Sequence, residues 1–153
     1  MKRTLTLLLT LAVSAVLLVL GPMSKHNQFS VHAQSGCSNA TLGGNYAFLA
    51  PGFLIPHGKA NEVPFAVEGV VAFDGVGNVF TSGDTVVNGG VISTQQNGTG
   101  TYTVNSDCTG SISFTAGNAA GLNLNLAIIG GGSELFAIYA TPSFTVTLDG
   151  KKQ

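Results

Sequence analysis

Charge is scarce in this sequence. Only 8% of its 153 residues are Asp, Glu, Lys or Arg, against about 25% in an average soluble domain. Tryptophan is absent, and cysteine occurs only at positions 37 and 108. Beyond residue 33 there is no arginine, a single histidine (His57) and three lysines (Lys59, Lys151, Lys152). Against those lysines stand Glu62, Glu68, Asp74, Asp84, Asp107, Glu134 and Asp149, so residues 34–153 carry a formal charge of −4.

These shortages exclude whole classes of function. Nucleic-acid affinity comes from Lys and Arg displacing counterions, and phosphate recognition favours arginine forks, so neither partner is expected. One histidine cannot build a two-histidine metal site or leave a spare base for a nucleophile. No cofactor and no metal is expected.

The one long apolar run lies at the N-terminus. Lys2-Arg3 is followed by "TLTLLLTLAVSAVLLVL" and then Gly21-Pro22, the order of an export signal. Val31-His32-Ala33 offers a cleavage site, which divides the chain into a signal peptide, 1–33, and a single β domain, 34–153. The run falls short of the roughly 20 residues of a comfortable span. If it were retained as an anchor, Lys2 and Arg3 would hold the N-terminus inside and the remainder would still be exported. Both readings place the domain outside the cytoplasm, secreted or in the periplasm or cell envelope, with no stable membrane span after cleavage. A lipoprotein reading of "QSGC" fails because Gln34 stands where an aliphatic residue belongs.

An exported chain with two cysteines reads first as disulfide-bonded. Cys108 sits in a turn, within "GTYTVNSDCTGSISF", from which the start of the mature chain around Cys37 can be pinned.

From Tyr46 onward, short β-prone runs alternate with Gly, Asn and Asp, and no window sustains a 3.6-residue apolar period. "NYAFLA" puts Tyr46, Phe48 and Ala50 on one face, with Pro51-Gly52 as its stop and 51–64 as a proline-rich loop. "FAVEGVVAFDG" sets Val67, Gly69, Val71 and Phe73 against Glu68, Val70 and Ala72. "LNLNLAII" alternates perfectly, and "FTVTL" turns Phe144, Val146 and Leu148 inward. "SELFAIYAT" is apolar on both faces and so should be covered on both sides or sit at an interface. About eight strands in successive hairpins make an all-β antiparallel meander. Closing it into a small up-and-down barrel removes the two edges that an open sheet would expose; a two-sheet sandwich is the alternative.

The stretches "CSNATLGGNYAF", "GVVAFDGVGN" and "GTYTVNSDCTGSISF" resemble a family of small exported bacterial proteins of unassigned function, associated with soil bacteria such as acidobacteria. The likeness runs from Cys37 to about Phe114. It implies an exported β domain with Cys37 paired to Cys108, and it carries over no catalytic residue. In topology alone the chain also resembles the allene oxide cyclase type of barrel, without any motif for that activity.

Four residues are candidates for binding a ligand. His57 lies in the proline-bounded loop, where it is either a solvated histidine or a residue at a barrel mouth. Glu68 interrupts an apolar strand: inward it would be a general acid or base, while the alternation favours outward. Tyr102 and Tyr139, like Tyr46, are core aromatics or cavity hydroxyls. Asp74 and Asn78 flank "DGVGN", which reads as a turn rather than a calcium site. The leading expectation is a non-catalytic exported barrel that binds an apolar small molecule or serves as an envelope module. The alternatives are a cofactor-free isomerase or cyclase acting in a barrel cavity, and an adhesive or matrix protein.

Overall fold

The computed structural model describes residues 36–56 and 61–153. The predicted signal segment and His57 lie outside them. The chain divides into two units, Met1–His32 and Ala33–Gln153, and the second holds the fold.

Eight antiparallel strands close into a barrel in sequence order. They are β1 (Gly44–Leu54), β2 (Val63–Phe73), β3 (Asn78–Asn88), β4 (Val91–Val104), β5 (Thr109–Gly117), β6 (Asn123–Ile129), β7 (Glu134–Tyr139) and β8 (Phe144–Lys152). β1 pairs with both β2 and β8, so the expected up-and-down barrel is formed, not a sandwich. Closure gives every strand two neighbours and leaves no edge.

Period-two alternation explains most of the wall. β6 buries Leu124, Leu126 and Ile128 and exposes Asn123, Asn125 and Ala127. β8 buries Val146 and Leu148 in the same way. The fold departs from expectation at Pro51-Gly52, which does not end β1. The β1–β2 ladder runs unbroken through Pro51↔Ala66 and Gly52↔Phe65, whereas on the β8 side it lapses between Leu49↔Asp149 and Gly52↔Val146. Proline has no N–H to donate, and its position coincides with the gap on one side only. Of the two expectations for β7, cover on both sides is not met within the described residues: its outward residues Phe136 and Ile138 are 43% and 53% exposed.

One end of the barrel is sealed. A 3-10 turn, Asn39–Leu42, carries Leu42, which is completely buried. The Tyr102 hydroxyl donates to the Asn39 carbonyl at 2.8 Å, and the Val104 N–H donates to Asn39 Oδ1 at 2.8 Å. The Tyr46 hydroxyl donates to the Gly132 carbonyl in the β6–β7 turn. Phe73 meets both Tyr46 and Tyr102 edge to face, with centroids 5.5 and 4.9 Å apart, the geometry favoured by the ring quadrupoles. The expected disulfide, Cys37 to Cys108, ties this floor to the β4–β5 turn across a Cα–Cα distance of 5.1 Å. Cys108 adopts φ 66° in that turn.

In the β2–β3 turn, Asp74 Oδ1 accepts the N–H groups of Val76, Gly77 and Asn78, each at 2.9 Å, and Asn78 donates its side-chain amide to Oδ2. Desolvation is the largest single influence and raises the carboxyl, but the four donors together outweigh it and hold the group down at about 2. The turn reading of Asp74 and Asn78 therefore accounts for both side chains. Among the described residues no cluster of His, Cys, Asp and Glu is arranged to hold a metal.

Candidate functional site

The opposite end of the barrel is open and leads into a cavity of about 460 Å³. Its deep wall is apolar, with Phe48, Val71, Ile112, Leu124 and Leu135 among the lining residues. Nearer the mouth come Phe65, Val86 and Phe144, and the rim carries the neutral polar groups Asn88, Ser93, Gln96, Asn97 and Asn118. Rings line one side: Tyr139 stacks on Phe144 at 5.7 Å and 28°, and Phe65 meets Phe144 edge to face at 5.7 Å.

Among the described residues one carboxylate faces this cavity, and it is Asp84. A β-bulge puts it there. β3 starts with Val79 and Thr81 inward, and strict alternation would then turn residue 83 in and residue 84 out. Between the pairs Glu68↔Thr85 and Val71↔Thr81, β3 spends three residues where β2 spends two. Gly83 absorbs the extra residue at φ 75°, a left-handed conformation that costs glycine little. Burial changes parity across it, from Val79 and Thr81 to Asp84 and Val86. A second shift follows between Asp84↔Gln96 and Val86↔Ser93, where Gln95 takes φ 57°.

The partner strand makes room. Gly69 is the inward residue of β2 opposite the bulge, and a Cβ built on it would lie 2.0 Å from Asp84 Oδ1 and 2.7 Å from its Cγ. The carboxylate thus occupies the space that a side chain at 69 would fill.

Asp84 is only 6% exposed and Thr81 only 8%. Neither Asp84 Oδ1 nor Thr81 Oγ1 has a hydrogen bond of good geometry. Burial pushes the Asp84 carboxyl up, and the nearby Thr81 hydroxyl and Val70 amide pull it only partly back. Tyr139 is pushed up to about 12, by burial first and then by the negative charge of Asp84. Two acidic groups of very different kind therefore share one largely apolar chamber. Such a pair can hold a polar head group, or hold and release a proton at Asp84.

The structure sorts the expected site residues clearly. Tyr139 lines the cavity. Glu68 is exposed on the outer face, as its parity favours, and does not reach the cavity. Tyr102 is buried in the sealed floor with its hydroxyl committed to Asn39; desolvation raises its pKa. His57 is not among the described residues. Asp84 was not singled out by alternation, although a glycine inside a β-prone run, "TSGDT", is the usual mark of a bulge.

No protein-family model, no curated protein and no solved structure matches this chain. The functional reading therefore rests on the cavity itself.

Proposed function

We propose that this chain is an exported, non-catalytic β-barrel that binds an apolar small molecule in its interior. The observation that carries the reading is the open cavity of about 460 Å³, apolar on most of its wall, with one buried carboxylate turned into it. Its volume falls within the roughly 300–1,000 Å³ of ordinary ligand sites, which pair an apolar lining with a few placed polar groups. Export is supported by the N-terminal pattern Lys2-Arg3 followed by an apolar run, and by a disulfide of the kind that persists in oxidising compartments. Among the described residues no helix is long and apolar enough to cross a membrane.

The test is fluorescence titration with the neutral dye prodan, run beside native mass spectrometry of the purified protein. Saturable blue-shifted emission, lost in a folded Val86→Trp variant that blocks the mouth, is the expected result. No emission change and no co-purifying mass would overturn the reading.

A second reading is favoured by one observation, the weak acid Asp84 beside Tyr139. A cofactor-free isomerase or cyclase could use Asp84 for proton transfer and the Tyr139 hydroxyl for polarisation. Asp84, not Glu68, would be its general acid or base. Under that reading Asp84→Asn abolishes turnover of a bound ligand while leaving its affinity near that of the wild type.

A further inference from the structure

A buried polar atom without a partner costs free energy in every folded molecule, so a native site that keeps one calls for an explanation. Here two such atoms, Asp84 Oδ1 and Thr81 Oγ1, lack a hydrogen bond of good geometry although the Thr81 hydroxyl and Val70 amide lie near the carboxyl, and both belong to side chains more than nine-tenths buried that line the cavity. Both are oxygens able to accept. The cavity lining contains no Lys, Arg or His among the described residues. Lys151 is paired with Glu134 at 3.6 Å, and Lys152 lies 5.7 Å over the Tyr46 ring at the sealed end. Among the described residues the chamber therefore offers a buried carboxyl and acceptor oxygens, with no cation to satisfy them.

This arrangement discriminates among head groups. A carboxylate or phosphate ligand would set like charge against Asp84 in a poorly solvated space. A hydroxyl brings a single donor. A protonated primary amine brings three donors and the opposite charge, and the Tyr139, Phe144 and Phe65 rings add faces that attract a cation or stack on an aromatic body.

We propose that the cavity selects a lipophilic amine, with its ammonium group on Asp84 and Thr81 and its apolar body against Phe65, Phe144 and Tyr139. This rests on the binding reading above and supplies its ligand class.

Calorimetric titration of the full chain with phenylbutylamine, phenylbutanol and phenylbutanoate tests it, since the three share a body and differ in head group. The amine should bind at least about tenfold tighter than the alcohol, the difference expected of a charge-assisted over a neutral contact, and the carboxylate should be the weakest. Asp84→Asn should bring amine and alcohol to within about twofold while the alcohol's affinity stays near wild type. Equal binding of amine and alcohol by the wild-type protein, or a preference for the carboxylate, overturns the amine assignment while the cavity reading stands. So does failure of all three ligands in a protein that still binds prodan; failure of prodan as well overturns both. An Asp84→Asn protein that keeps its amine preference removes Asp84 from the site. The wild-type selectivity is read without any variant, so a misfolded mutant does not decide the matter.

Discussion

Replacing both cysteines by serine should remove the tether of the barrel's floor while leaving the wall closed. Cys37 and Cys108 are 71 residues apart, and closing a loop of that size restricts the unfolded chain by about 4 kcal/mol on the chain-entropy account. For a domain of roughly 120 residues, an unfolding entropy near 2.1 cal/mol/K per residue sums to about 250 cal/mol/K, so the loss converts to a fall in Tm of about 16 °C. The usual margin of about 5–15 kcal/mol exceeds that loss, and the double variant should therefore remain folded at room temperature. Within the floor, the 3-10 turn would keep Leu42 and the Asn39 contacts but lose its tether. Thermal melts followed by circular dichroism, with urea melts in parallel, read both quantities. A fall in Tm below about 4 °C, or loss of the β signal at 20 °C, would refute the reasoning: the first by making the bridge irrelevant, the second by making the wall depend on it.

Other perturbations probe the cavity and the turns. Asp84→Asn should raise stability at neutral pH, because it keeps the shape of the side chain and removes the charge that burial penalises. Because burial raises the Asp84 carboxyl above its unfolded value, wild-type stability is fully present below about 3.9 and declines as pH rises through the folded value. The advantage of the variant should accordingly vanish in acid, as urea melts across pH will reveal. Gly69→Ala places a Cβ on the Asp84 carboxylate; it should cost about 1–3 kcal/mol, in the range of overpacking, and reduce ligand affinity measured by dye titration. Asp74→Ala acts with the opposite sign. The wild-type carboxyl, held at about 2, stabilises the turn above the unfolded value, so the variant should melt earlier at neutral pH and converge with wild type as pH falls towards 2.

Much of this architecture was legible because alternation and closure are simple constraints. Leu124, Leu126 and Ile128 fix the inward face of β6 whatever the rest of the chain does, and two cysteines in an export-type chain have one intramolecular pairing open to them. What escaped reading were the places where a strand breaks its own rule. Pro51 reads as a stop, yet within a closed barrel it needs only one interrupted ladder, and the β1–β8 gap provides it. Phe136 and Ile138 read as covered or as part of an interface, because apolar side chains on both faces suggest one or the other, and β7 leaves them at the surface of the described residues.

The site was hidden for the same reason. Parity directs attention to Glu68, the carboxylate inside the most apolar strand, and correctly turns it outward. It gives no warning that Gly83 shifts β3 by one residue and carries Asp84 inside. The glycine was visible in the sequence, but the space at Gly69 that receives the carboxylate lies 15 positions earlier on another strand. A bulge and its complementary gap become one feature only when the strands are paired. Tyr139, by contrast, follows plain alternation after Leu135 and Ala137, and its inward position could be read directly.

Carboxyl-carbon NMR titration of the aspartates tests most directly the claim that a bulge buries a carboxylate in a largely apolar chamber. Asp84 should titrate above the ordinary aspartate value and Asp74 well below it, near 2. Adding phenylbutylamine should then draw the Asp84 midpoint downward while Asp74 stays in place. An Asp84 midpoint at the ordinary carboxylate value, indifferent to the amine, would mean that the side chain faces water and that the chamber described here is not its environment.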